Sequence, residues 1–93
     1  MSIGRYPSLM VTGPRCVKAS GGYLLGYVFP SAGGAGVVSF REGTMTGTEI
    51  WRDTVPATTG TAARYQFEEP LYFTDALYVT GTNWPSKFPV AFM

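Results

Sequence analysis

Thr61-Ala62-Ala63-Arg64-Tyr65-Gln66-Phe67-Glu68 is the stretch on which the reading of the fold turns. Ala63, Tyr65 and Phe67 fall on one side, and Arg64, Gln66 and Glu68 on the other. Alternation with a period of two is the pattern of a β-strand with one buried face. Turn-forming residues bound it, 56–60 before and Glu69-Pro70 after.

Working outward, the same pattern recurs. Residues 37–42 put Val38 and Phe40 on one face and Ser39 and Arg41 on the other. Residues 88–92 align Phe88, Val90 and Phe92. Pro89 interrupts that run, which places it at a sheet edge or a bend, because proline has no N–H to give to a ladder. Other runs are apolar on both sides. Residues 23–29 set Tyr23, Leu25, Tyr27 and Phe29 against Leu24, Gly26 and Val28. Ile50 opposes Trp51, and Leu77 and Val79 oppose Tyr78.

The breaks between these runs are as informative as the runs. The 93 residues include 12 Gly and 7 Pro, and the longest piece free of both is 71–80. A globular helix averages about 11–12 residues, and internal Gly or Pro costs it about 1 or about 3 kcal/mol. A helical bundle is excluded, and so is a membrane-spanning helix of about 20 apolar residues. Short β-type runs at regular spacing predict a single all-β antiparallel sandwich over 16–93. Residues 1–15, broken by Gly4, Pro7, Gly13 and Pro14, read as an extended arm, either lying on a neighbouring subunit or frayed. Met1 to Pro7 has no apolar core of a signal peptide, so the expectation is assembly without export.

Only 14% of residues are charged, while 45% are hydrophobic and 15% aromatic. About 25% charged is usual for a soluble domain. A thin sandwich has no third layer to cover strands that are apolar on both faces, so another subunit is expected to cover them. Tyr23, Tyr27, Trp51 and Tyr78 are the candidates for that contact. Isolated surface aromatics or a thicker core are the alternative.

The chemistry available is narrow. There is no His, and Cys16 is the single cysteine. Ser–His or Cys–His catalysis lacks its base, structural zinc lacks its usual ligands, and no internal disulfide forms. Cys16 reads as a small core residue. Glu68 and Glu69 are sequence neighbours on a strand and point to opposite faces, so they do not converge on a cation. The net charge is +1 without a basic cluster, which argues against nucleic acid as a partner. Gly33-Gly34-Ala35-Gly36 lacks the Gly-Lys-Ser/Thr ending of a phosphate loop and reads as a turn. No enzyme, metal or cofactor is expected. Exposed aromatics on a sandwich also form stacking platforms for sugars. Trp51, and Trp84 in the turn Thr82-Asn83-Trp84-Pro85, are the candidates, with packing or subunit contact as the other reading.

The order of segments carries a resemblance. Gly21-Gly22-Tyr23-Leu24-Leu25-Gly26-Tyr27-Val28 is followed by a Gly-rich turn and by Val37-Val38-Ser39-Phe40-Arg41-Glu42-Gly43-Thr44. Glu49-Ile50-Trp51, Tyr72-Phe73-Thr74-Asp75-Ala76-Leu77-Tyr78-Val79-Thr80-Gly81 and Val90-Ala91-Phe92 come after. Over 17–92 this resembles the small β-sandwich decoration, or cement, proteins of tailed-bacteriophage capsids. Ala76 departs from the Gly expected before Leu-Tyr-Val. The resemblance implies a jelly-roll-like sandwich of seven or eight strands, a homotrimer seated on major capsid protein at the outer surface of the virion, and no catalytic residues. The competing expectation is a carbohydrate-binding sandwich of a phage tail or fibre.

Overall fold

Eight strands and no helix make up the described chain. The computed structural model describes residues 8–30, 35–55, 62–83 and 87–93. The strands are β1 (Ser8–Val11), β2 (Arg15–Lys18), β3 (Gly22–Pro30), β4 (Gly36–Glu42), β5 (Thr48–Val55), β6 (Ala62–Phe73), β7 (Leu77–Thr82) and β8 (Phe88–Phe92). They form two four-stranded antiparallel sheets, β1-β8-β3-β6 and β2-β7-β4-β5.

The pairing follows one rule. β1 pairs with β8, β2 with β7, β3 with β6 and β4 with β5. The chain is thus one long antiparallel ribbon, doubled back at the β4–β5 hairpin. The β3–β8 and β4–β7 ladders then roll that ribbon into two sheets. This is the eight-stranded jelly roll. The tip needs glycine at both ends. Gly43 has φ of +88°, and a Cβ on Gly47 would meet the Glu42 carbonyl oxygen at 1.9 Å.

The core lies between the sheets. Val11, Leu24, Tyr27, Phe29, Phe73, Phe88 and Val90 enter it from one side, and Val17, Val38, Phe40, Val55, Leu77 and Val79 from the other. Phe29 meets Phe88 edge-on at 4.8 Å between centroids. Phe67 is buried, as the alternation of the opening stretch requires, whereas Tyr65, on the same side of this edge strand, is 41% exposed and meets the Phe67 ring at 4.7 Å. Val38 and Phe40 are wholly buried, as are Phe88 and Val90.

Bulges break the simple alternation elsewhere. In β3 the register slips between Leu24 and Gly26, leaving Leu25 without a partner in the ladder with β8. The inward set is therefore Leu24, then Tyr27 and Phe29, rather than one unbroken series from Tyr23. Opposite Leu25, β6 carries four residues, 67–70, between its pairings at Gln66 and Leu71. In β5, Phe40 pairs with Trp51 and Arg41 with Glu49, so Ile50 is the extra residue. Ile50 and Trp51 consequently both pack against the core instead of facing apart. In β2 the extra residue is Val17, which is buried, whereas Cys16 is only half-buried and pairs with Tyr78 on the outer face. Bulges of this kind add local twist and re-aim side chains.

Two further expectations change. β8 is not an edge strand, since it lies between β1 and β3. Pro89 is tolerated because the β3 ladder reaches only residues 90–92, so at Pro89 the sole partner strand is β1. Within the expected arm over 1–15, residues 8–11 pair with the chain's own β8, and Val11 is wholly buried. Gly33 and Gly34 of the glycine-rich turn, and Trp84, lie outside the described residues, and Gly36 begins β4.

Candidate functional site

Directly paired residues in an antiparallel ladder share a face. That rule separates the outer surfaces of the two sheets. The outer face of β2-β7-β4-β5 carries Ser39, Arg41, Glu49, Arg52, Tyr78 and Thr80. Ser39 Oγ donates to Glu49 Oε2 at 2.5 Å, and Arg52 Nε donates to Glu49 Oε1 at 3.1 Å. Arg41 joins through Nη2 at 3.4 Å from Glu49 Oε2, while its Nη1 donates to the Gly47 carbonyl at 2.9 Å. The Arg52 hydrogen bond, then that from Ser39, holds the Glu49 carboxyl below its usual range. A depressed carboxylate contributes stability above its unfolded pKa, lost as pH falls through the lower folded value. Glu49→Gln should therefore flatten the acid limb of the stability curve below about pH 4. Urea titrations at stepped pH check this; an acid limb as steep as the parent's would remove Glu49 from it.

The outer face of β1-β8-β3-β6 is different. Met10 pairs with Pro89, Gly26 with Ala91 and Gln66, and Tyr23 with Tyr72. Backbone hydrogen bonds tie Met93 to Tyr23 in both directions, each 2.8 Å. Tyr72 is 58% exposed, Met10 48%, Met93 47% and Tyr23 40%. The Tyr23 and Tyr72 rings lie 5.3 Å apart. Within the paired strands, charge on this face is confined to β6, the far edge, at the register position of Arg64 opposite Val28. The exposed apolar side chains of this face are thus Met10, Tyr23, Tyr72 and Met93, while Gly26 and Ala91 at its centre are buried.

A second feature seals one rim of the sandwich, where the edge strands β5 and β6 approach each other. The Trp51 ring lies 4.7 Å from Tyr65 and 4.9 Å from Phe67. Beneath them, the Tyr27 hydroxyl accepts a hydrogen bond from Trp51 Nε1 at 2.6 Å and donates to Asp53 Oδ2 at 2.7 Å. Burial first, then the bond to Asp53, raises the Tyr27 pKa well above its ordinary value. Every buried polar side-chain atom among the described residues has a partner. Beside this cluster an open groove of about 400 Å³ is lined by Tyr65, Gln66, Phe67, Glu68 and Glu69. Both glutamates are exposed there, on the four-residue excursion of β6.

The candidate contact residues therefore part company. Tyr23 lies on the exposed apolar face. Tyr27 is buried by its own chain, not by a partner, because the β3 bulge turns it into the core. Trp51 is half-buried in the rim cluster, and Tyr78 sits half-buried on the polar outer face. Tyr72, Met10 and Met93 were missed. Their signal in the sequence is only an apolar residue at an outward position, visible once the inward set is known. Among the described residues no group of His, Cys, Asp and Glu is arranged to hold a metal ion, and no helix is long and apolar enough to cross a membrane. Comparison of the chain with protein-family models, with curated proteins and with solved structures found no match.

Proposed function

We propose that this protein is a structural component of a bacteriophage virion, decorating and stabilising the capsid by bridging major capsid protein subunits and associating with itself. The observation that carries the reading is the outer face of β1-β8-β3-β6, where charge is confined to the β6 edge and Tyr23, Tyr72, Met10 and Met93 are exposed. The opposite outer face carries the Arg41–Glu49–Arg52 network. One face is thus built for water and the other for a protein surface. Burying apolar area across a capsomer seam contributes roughly 25 cal/mol per Å², less the cost of association. The eight-stranded jelly roll is an architecture shared by capsid and lectin domains, so fold alone does not choose between them. The apolar face favours the capsid reading, because a sugar site needs polar groups set around its stacking ring.

Mass spectrometry of purified virions tests the proposal. The chain is expected in intact particles, with Tyr72→Glu lowering its occupancy more than tenfold while leaving the fold intact. Absence from particles of a phage that expresses the gene would overturn it. Tryptophan fluorescence titrated with oligosaccharides tests the tail-or-fibre alternative, and a saturable shift would favour it.

A further inference from the structure

Three connections meet at one end of the sandwich: the β2–β3 turn, the β4–β5 hairpin and the link from β6 to β7. Leu77 pairs with both Lys18 and Glu42, and Gly22 pairs with Phe73. Paired residues share a face, so Glu42, opposite the wholly buried Leu77, stands on the inner face at the end of β4. From there it reaches the end of the other sheet. Glu42 Oε1 accepts hydrogen bonds from both the amide and the hydroxyl of Thr74, the residue that follows β6. The Asp75 amide donates to the same carboxylate. Gly43 N adds a bond to the Ala76 carbonyl at 2.9 Å. Two other charged groups lie at this end. Asp75 Oδ2 is 3.9 Å from where a Cβ on Gly43 would stand, and Lys18 Nζ donates to the Gly21 carbonyl at 2.9 Å. Arg41 and Glu49 are on the opposite, outer face. Among the described residues no cation forms an ion pair with Glu42, in contrast to Glu49.

We infer that Glu42 is a proton-sensitive clasp: ionised, it holds the β6–β7 link, residues 74–76, against the β4–β5 hairpin, and protonated, it releases that link while the two sheets stay packed. The charge of Glu42 is met only by donors of the link, so its titration acts on the link directly. Hydrogen bonds to a carboxylate are roughly twice as strong as those between neutral groups. Protonation removes the charge and turns one oxygen into a donor, facing backbone amides that can only donate. The Thr74 hydroxyl first, then the Thr74 amide, holds the Glu42 carboxyl below its usual range. The clasp is therefore closed above the unfolded pKa of about 4.3, and it opens as pH falls through the lower folded value. Thr74 and Asp75 are exposed, so their release uncovers none of the large core side chains. Its effect falls on the neighbouring end of the β3–β6 ladder, where Tyr23 pairs with Tyr72 on the outer face. The inference does not rest on the capsid reading.

NMR of the whole chain, read amide by amide, tests it. On acidification the Thr74 and Asp75 amide resonances should shift together. Their protection from hydrogen exchange, corrected for the intrinsic effect of pH, should be lost while that of the Phe40 and Val79 amides is kept. Glu42→Gln should show the released link already at neutral pH, with an unchanged circular dichroism spectrum. Asp75→Asn should keep the acid transition, because Asp75 contributes its amide and not its carboxylate to the clasp. Thr74 protection that persists in Glu42→Gln, that does not change with pH in the parent, or that is lost only together with the core amides would overturn the clasp. An acid transition abolished by Asp75→Asn would overturn it as well. Virion mass spectrometry reads the capsid proposal separately, and neither result decides the other.

Discussion

Phe40→Ala is expected to destabilise the fold by about 3–5 kcal/mol. Phe40 is wholly buried in the middle of β4, between Trp51 of β5 and Val79 of β7 in the ladders. Its ring lies 5.2 Å from Tyr27, which comes from the facing sheet. Truncation removes the contact that joins the two layers at that point. Strands fixed on both sides by ladders have little freedom to collapse into the space. Domains of this size are stable by about 5–15 kcal/mol, so the loss is a large fraction of the total. The melting temperature should fall by roughly 12–40 °C at about 4–8 °C per kcal/mol. Urea unfolding should show a lower midpoint with an unchanged slope. A loss under about 1 kcal/mol would mean that the two sheets do not meet at Phe40.

Tyr27→Phe is expected to cost about 1.5–3 kcal/mol, the range for hydrogen bonds that involve a charged group. The phenol is the only common partner of Asp53 Oδ2 and Trp51 Nε1 among the described contacts. Removing its oxygen leaves an indole N–H and a carboxylate oxygen without it. The change also has a pH signature. The Tyr27 pKa in the folded chain lies above its unfolded value, chiefly through burial. The unfolded chain therefore loses this proton first, at about pH 10. Stability from this group is complete below that pH and declines as pH rises toward the folded pKa, by at most about 1.4 kcal/mol per pH unit. Tyr27→Phe should lower stability at pH 7 and make its decline above pH 10 shallower. Parallel parent and variant curves through the alkaline range would show that this phenol does not couple to folding.

The rim cluster suits a structural part more than a binding platform. Trp51 spends its N–H on Tyr27, and its ring is in contact with Tyr65 and Phe67. It closes the side of the sandwich where β5 and β6 meet, while the β1 and β2 side ends in the smaller residues Leu9, Val11 and Val17. Outside the buried core, Trp51 with Tyr65 closes a rim, Tyr23 with Tyr72 faces outward, and Tyr78 lies on the opposite outer face.

The strand content was legible in the sequence because it depends on local causes. Glycine and proline end strands through backbone freedom and the missing N–H, and they mark most of the corners between the eight strands. Period-two alternation marked the buried faces of β4 and β8 correctly, since no bulge disturbs the inward pairs Val38 with Phe40 and Phe88 with Val90. What the sequence could not reveal is where a strand gains a residue. At Leu25 and Ile50 one extra position reverses the facing of everything beyond it, and only pairing with a distant strand defines that position. Tyr27, a candidate for subunit contact by alternation alone, turns into the core for this reason. Its hydroxyl partners, 24 and 26 residues away, appear only when β5 of one sheet packs over β3 of the other. The outward face of Tyr23, Tyr72, Met10 and Met93 is likewise a product of strand order. Strands β1, β3, β6 and β8 become neighbours only when the ribbon rolls, because hydrogen bonds between strands, not the spacing along the chain, decide which residues share a surface.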